Sequence, residues 1–562
     1  MLNNGLSLKQ NDLWVVPALL MVVGAAMLAQ FSKSFFVFGS AAILLGLFGF
    51  ILTLIPTLDY LNAISKSKKI VFLFLLFLAG GILLRFALNA EYPPPNSYLS
   101  IDEVKSGAWA NDILKGNCES LFVPVFTMAY PTSLAFAVLG TDYNNLRIAF
   151  VIAGILTLPF FFLLVREILD SVTALLALAL LSLSAYHNFV GRLAIDWVHV
   201  PLLTSICFYF FWLGWKKDQK YFVLNGLFVG VSLLSYYALR MVPILEILVY
   251  PFVYFCSHER VPNRKAKAVC FISFVLLMSI PAFSSVKLNP AIWLGNHDAG
   301  KYRYLFGMDL YLLLNLLTTR CGLIFETFLR NIGIVGFVFC LVGICEFVVK
   351  MFRGDAVSIF VLFWFFLNAL GGGFTEDFAS HRLIGAFLPA LIFCAVGVKS
   401  SAFQMSRVTF VFKDSSAESL RKGFAIFFYA LFLVSYGLEN LQLHQKLLKG
   451  TEGFHTEALR TCQKLAKEEA FVYEVGASNC TSYNFNWLLP NGRWTHIAKL
   501  SGLGSKHGSD EDVLYIYQGN ELADFYKRIE SLYGVKYERI SQARFKNYDY
   551  SVIRIDKDRL GL

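Results

Sequence analysis

Ile148-Ala-Phe-Val-Ile-Ala-Gly-Ile-Leu-Thr-Leu-Pro-Phe-Phe-Phe-Leu-Leu-Val165 is a run of 18 residues without a charge, bracketed by Arg147 and Arg166. As a helix rising about 1.5 Å per residue, it nearly matches a hydrocarbon core of ~30 Å. A helix is also the form in which such a segment satisfies its own backbone polar groups in lipid. Runs of this kind recur from Leu13 to Gly437, which makes most of the chain a membrane protein. The whole composition agrees: 57% of the 562 residues are apolar and 16% are charged, against about 25% charged in a soluble globule. A soluble domain this apolar would aggregate.

Thirteen spans are expected, beginning near Leu13, Phe35, Ile70, Asn145, Thr173, Val198, Tyr221, Met241, Ala268, Asn331, Ala356, Leu383 and Gly423. The first run is too long for a signal-peptide core and is read as a retained helix. The cations fix the orientation. With a cytoplasmic N-terminus, the inner loops hold eighteen lysines and arginines, including Lys66, Lys216, Lys217, Arg264 and Lys350. The short outer connections hold Lys33, Arg192, Arg240 and Arg382, so the bias of basic residues toward the inside is met. The scheme requires Tyr130–Gly140, too short to span, to lie along the outer surface as an interfacial helix. The net charge of +10 is then a property of topology; no basic helix or Arg-rich tail points to nucleic acid.

Three parts follow. Residues 1–69 carry two N-terminal spans. Residues 70–439 form the main bundle, with long outer segments at 89–144 and 287–330. Residues 440–562 turn polar, with strand-like alternation at Phe471–Val475, Val513–Tyr517, Tyr537–Ile540 and Tyr548–Ile555 and helical patterns at Thr456–Glu469 and Glu521–Tyr533. That pattern reads as a small α/β domain outside the membrane. Cys462 and Cys480 lie in this polar part, where pairing is compatible with an extracytoplasmic location. Cysteines in the apolar runs, such as Cys207, Cys340 and Cys394, read as small hydrophobes without a metal signature.

Ionisable residues near a membrane are costly and mark function. Four clusters fall at the expected outer ends of spans. Asp102 and Glu103 are adjacent carboxylates at the start of a helix, suited either to capping it or to acting as a general base. Arg192 and Asp196, four residues apart, would share one helical face, as a structural ion pair or as part of a site. Tyr236, Tyr237 and Arg240 end the seventh span; Arg240 would either snorkel to headgroups or fork onto a phosphate. Glu376, Asp377, His381 and Arg382 precede the twelfth. Arginines beside carboxylates on one side suit an anionic lipid phosphate together with a hydroxyl that must lose a proton. No glycine loop for a nucleotide phosphate, no dinucleotide fingerprint and no His-Glu-x-x-His zinc motif is present.

Ser100-Ile101-Asp102-Glu103 followed by Ala108-Trp109-Ala110-Asn111-Asp112-Ile113-Leu114-Lys115-Gly116 resembles the first outer loop of the dolichyl-phosphate-mannose protein mannosyltransferase superfamily (glycosyltransferase family 39-like), whose bacterial branch includes the lipid A aminoarabinose transferase. Arg147, Gly191–Asp196, Ser235-Tyr236-Tyr237-Ala238-Leu239-Arg240-Met241-Val242-Pro243 and His381-Arg382-Leu383 with Pro389 extend the likeness over roughly residues 70–400. The resemblance implies an all-α polytopic GT-C-like fold, a polyprenyl-phosphate sugar donor and an inverting transfer to a glycan, lipid or protein hydroxyl. It implies a multi-pass protein of a bacterial inner or plasma membrane, with Asp102 as base and Glu103 orienting the acceptor. Arg240 with Arg192 or Arg382 would stabilise the departing phosphate, Asp196, Tyr237 and His381 would contact donor or substrate, and Lys301 and Arg303 would close over the donor. Arginines alone can offset a monophosphate, so no metal is required; a divalent ion at Asp102 and Glu103 stays open. The two N-terminal spans and the outer tail depart from the family's common layout and leave the acceptor unassigned.

The competing readings are a transporter or flippase of lipid-linked glycans and a ligase using a diphosphate-linked glycan. A translocation path calls for charges at mid-bilayer, whereas these clusters gather at one face. The topology is tested by labelling: an impermeant thiol reagent, or antibody to a tag after Leu562, is expected to reach Cys462 or the tag in intact cells. Labelling that appears only after lysis would overturn the orientation.

Overall fold

In a computed structural model, the chain is described over residues 15–28, 42–43, 45–47, 67–87, 98–99, 101–116, 126–141, 143–256, 264–283, 310–373, 380–409, 415–449, 454–455, 470–476, 494–497, 512–519, 522–533, 538–545 and 548–555. The helices are α1 (Val15–Leu28), α2 (Lys68–Ala87), α3 (Ile101–Leu114), α4 (Phe126–Leu139), α5 (Tyr143–Ile168), α6 (Ser171–Leu183), α7 (Ala185–Val190) and α8 (His199–Lys216). They continue as α9 (Tyr221–Leu233), α10 (Met241–Cys256), α11 (Arg264–Met278), α12 (Leu310–Phe352), α13 (Ala356–Gly373), α14 (Ile384–Thr409), α15 (Ser415–Lys449) and α16 (Leu522–Tyr533).

Eight described helices are long and apolar enough to cross a membrane, and each falls on an expected span; α1, α4, α6 and α9 are apolar but shorter. The chain is an integral membrane protein. Burial sorts the spans into rings: the apolar stretches of α8 and α14 are each 89% buried, while those of α2 and α15 are 11% and 17% buried. The outer helices present Leu83, Val434 and Leu438 outward, as lipid-facing surfaces do, since side chains this apolar gain nothing by hiding from hydrocarbon. Inside, Phe208, Phe360 and Trp364 from α8 and α13 meet edge to face, the arrangement their ring quadrupoles favour.

The expected outer segment 287–330 is helical from Leu310, because α12 runs through to Phe352 with a break at Gly333, whose φ is +83°. Leu310-Tyr-Leu-Leu-Leu already continues the apolar pattern of the span, so the helix begins earlier than loop polarity indicates. Past the break, the backbone N–H groups of Ile334 and Val335 start a new helix without intrahelical acceptors. Glu439 of α15 reaches across to accept both, at 2.5 and 3.2 Å, capping α12 from another helix.

The C-terminal residues form a five-stranded sheet in the order β4-β3-β5-β7-β6, from β3 (Ala470–Gly476), β4 (Trp494–Ile497), β5 (Asp512–Gly519), β6 (Glu538–Phe545) and β7 (Tyr548–Ile555). β4, β3 and β5 run parallel, in register Val472↔Trp494 and Val472↔Leu514; β7 pairs antiparallel with both β5 and β6. Between β5 and β6, which run the same way because each is antiparallel to β7, lies the amphipathic helix α16, the type of connection two parallel strands require. A second link joins distant parts of the chain: β1 (Tyr98–Leu99) pairs with β2 (Phe454–His455), Leu99 opposite Phe454. The strand preceding Asp102 is thereby tied to the segment that leaves α15. Thr456–Glu469, Cys462, Cys480 and Gly295–Arg303 lie outside the described residues.

Two substitutions probe the α12 break. Gly333→Ala forces a Cβ into the left-handed region beside the Glu439 carboxylate, and Glu439→Ala removes the cap; each is expected to cost about 1–2 kcal/mol. Thermal unfolding in detergent reads both, and unchanged melting in both variants would contradict the cap.

Candidate functional site

The site begins at Glu103, in the first turn of α3 and fully buried. Its Oε1 accepts from Arg147 Nε of α5 at 2.8 Å, with Arg147 Nη2 also 2.8 Å away, and from the backbone N–H of Ala194 at 3.0 Å. One turn further along α3, Ser106 Oγ donates to the carbonyl of Ala194 at 2.5 Å. Both polar groups of the Ala194 peptide are therefore held by α3. This peptide sits in the irregular segment Gly191–Ile195, between α7 and the 3-10 turn Asp196–Val198. Irregular backbone in an apolar bundle needs protein groups to satisfy it, and Glu103 and Ser106 do so for Ala194.

The same segment is fastened from α2. Arg192 Nη2 donates to the carbonyl of Leu84 at 3.0 Å, and Arg85 Nη2 donates to Nδ1 of His187 at 2.5 Å. A guanidinium has only donors, so His187 presents a bare Nδ1 and carries its proton on Nε2. Gly154 of α5 and Gly191 complete the packing: a Cβ on Gly154 would stand 3.5 Å from Gly191 Cα, so the helix rests almost directly on the turn.

The expected helical face carrying both Arg192 and Asp196 is corrected by this arrangement. Residues 191–195 are not helical; the hydrogen bonds from α2 and α3 compete successfully with helical ones and send Arg192 toward Leu84. Both residues are buried. The next residue, Trp197, stacks on His381 with ring centroids 4.1 Å apart and planes 5° from parallel. His381 and Arg382 lie on the 3-10 turn Ser380–Leu383, which packs on α12, α13 and α14. Three of the four sequence clusters, those of Glu103, of Arg192 with Asp196 and of His381 with Arg382, are thus contiguous.

The fourth lies on the 3-10 turn Tyr237–Arg240, which packs against α8, α9 and α10. Because α8 runs away from Asp196 and α9 returns, this turn comes back to the end of α8 from which Asp196 enters. Asp102 and Tyr237 are placed by their backbone, in α3 and in this turn. Lys301, Arg303, Glu376 and Asp377 lie outside the described residues. Glu103 is fully buried, with its Oε1 turned to Arg147 and to the backbone of Ala194. Among the described residues no three His, Cys, Asp or Glu side chains converge as metal ligands.

The sequence clusters omit Arg85, Ser106, His187, Ala194 and Trp197. Arg85 carries a signal, a cation within the apolar run Ile82-Leu-Leu-Arg-Phe-Ala87. Ser106, Ala194 and Trp197 carry none, since they act through a backbone peptide and a ring face.

Residues 123–284 match the family model described as dolichyl-phosphate-mannose-protein mannosyltransferase. Among solved structures, the chain is similar to ArnT from Cupriavidus metallidurans in the apo state, with a TM-score of 0.54 and 12% identity over 87% of this chain and 98% of that one. The same enzyme bound to undecaprenyl phosphate gives a TM-score of 0.51 and 11% identity, covering 85% and 97%. The oligosaccharyltransferase AglB from Archaeoglobus fulgidus, in complex with an inhibitory peptide and a dolichol-phosphate, gives 0.53 and 13%, covering 88% and 77%. No curated protein matches the sequence. The chain has the GT-C fold and is related to the mannosyltransferase family through residues 123–284.

A double-mutant cycle tests the junction at Glu103. Glu103→Gln and Arg147→Met are each expected to lower stability by about 3 kcal/mol, because each strands a buried polar partner. The double variant is expected to cost well under the sum, read by thermal unfolding. Strictly additive losses would dissolve the pair.

Proposed function

We propose that this protein is an inverting glycosyltransferase that moves a sugar from a polyprenyl-phosphate donor to an acceptor hydroxyl at the outer face of the membrane. The observation that carries the reading is the meeting of the Asp102 helix, the Gly191–Asp196 segment and the His381–Arg382 turn at one end of the bundle. A catalyst working on a lipid-linked sugar at the interface needs a base and cations at one rim, next to a hydrophobic wall. The kinship with ArnT and AglB, whose solved complexes hold undecaprenyl phosphate and dolichol-phosphate, supports the same donor class here.

In the proposed reaction the Asp102 carboxylate takes the proton of the acceptor hydroxyl as its oxygen attacks the anomeric carbon. The bond from that carbon to the phosphate oxygen breaks, the configuration inverts, and the polyprenyl phosphate departs with the electron pair. Arg240 and Arg382 stabilise the charge on the leaving phosphate, with Tyr237 on the same turn as Arg240. Lys301 and Arg303, on the outer segment before α12, close over the donor. Glu103, Arg147 and Arg192 hold Asp102 and Asp196 in place rather than touching substrate. The acceptor is a glycan, lipid or protein hydroxyl.

Asp102→Asn keeps the size and hydrogen-bonding capacity of the side chain and removes its basicity. Transfer from a polyprenyl-phosphate sugar by the purified variant is expected to fall by about 100-fold or more, with elution and melting unchanged. Near-normal turnover would remove Asp102 as base.

A further inference from the structure

Away from the rim, α8, α9 and α10 enclose a polar group that the proposed reaction does not use. Glu246 of α10 and Asn225 of α9 are both fully buried. Asn225 Nδ2 donates to Glu246 Oε1 at 2.7 Å and to the carbonyl of Cys207, midway along α8, at 3.0 Å. Both amide hydrogens are then used. Ser232 Oγ, also on α9, lies 3.6 Å from Cys207 Sγ. Two oxygens are left over, Glu246 Oε2 and Asn225 Oδ1, and neither has a hydrogen-bond partner among the described residues. Both are acceptors, so neither can satisfy the other as they stand.

An ionised Glu246 would place a full negative charge in the interior of a membrane bundle against a single neutral amide. Among the described residues no lysine, arginine or histidine pairs with it, and the ionisable neighbour across the cluster is the Cys207 thiol. Buried charges without a counter-charge are among the most costly arrangements a protein can hold, and in a bilayer no water relieves them. One added proton on Oε2 turns that oxygen into a donor, with the orphaned Asn225 Oδ1 as the matching acceptor of a cyclic acid–amide pair in which each group donates once to the other and accepts once from it.

We propose that Glu246 and Asn225 form a proton-binding site in the bundle interior, with Glu246 held as an un-ionised carboxylic acid at neutral pH. The bound proton joins α9 to α10 beneath the Tyr237–Arg240 turn that connects them. The site stands independently of the glycosyltransferase reading, since it is argued from burial and unmatched oxygens alone. A monovalent cation in place of the proton is the rival occupant.

Infrared difference spectroscopy of purified protein, wild type minus Glu246→Gln at neutral pH, reads the state directly. The site predicts loss of one un-ionised carboxylic C=O band in the variant; loss of a carboxylate pair of bands instead would overturn it. Melting supplies the second reading. Glu246→Gln, whose amide donates where the acid proton did, is expected to melt within about 2 °C of wild type, while Glu246→Ala melts clearly lower. Equal losses in the two variants would overturn the proposal, as would a wild-type melting point that rises with sodium or potassium but not with choline in a Glu246-dependent way.

Discussion

One buried carboxylate fixes the geometry on which the outer end of this molecule depends. Glu103 joins α3 to α5 through Arg147 and to the Gly191–Asp196 segment through the N–H of Ala194, and Ser106 holds the other side of the same peptide. Break that junction and an irregular stretch of backbone is left with unmatched polar groups where there is little water to receive them. Asp102 precedes Glu103 on the same helix turn, so its position is inherited from the junction. Of the two adjacent acids, Glu103 holds the frame, and Asp102 is the one proposed as the base.

The frame explains how an apolar bundle carries so many arginines. Arg85 and Arg192 spend their donors on His187 and on the Leu84 carbonyl, sewing α2 to the turn from both directions. Arg147 is engaged by the Glu103 carboxylate. Arg240 and Arg382, proposed to meet the donor phosphate, sit on short 3-10 turns at span ends. The pairing of β1 with β2 adds a mechanical link from the C-terminal region to the strand just before Asp102.

Much of this architecture is legible in the amino-acid sequence. Run length alone locates α2, α5, α8, α10 and α12 to α15, because a hydrocarbon core imposes a minimum apolar length that few other constraints mimic. The cluster residues are visible as charges at span ends. What the sequence withholds is non-local. Four-residue spacing puts Arg192 and Asp196 on one helical face, yet hydrogen bonds from α2 and α3, about ninety or more residues away in sequence, override the helix there. Glu103 reads as the twin of Asp102, and only the arrival of Arg147 and Ala194 distinguishes it. The early start of α12 is hidden because a helix broken at Gly333 and capped from α15 has no local stop signal for the apolar pattern to show.

In the proposed reaction, donor phosphate, sugar and base meet at the rim shared by α3, the Gly191–Asp196 segment and the His381–Arg382 turn. An experimental structure of the protein with a non-transferable polyprenyl-phosphate sugar analogue tests it most directly. Density for the phosphate is expected beside Arg240 and Arg382, with the anomeric carbon facing Asp102. Density for the phosphate at the opposite end of the bundle, near Lys217 and Arg264, would contradict it.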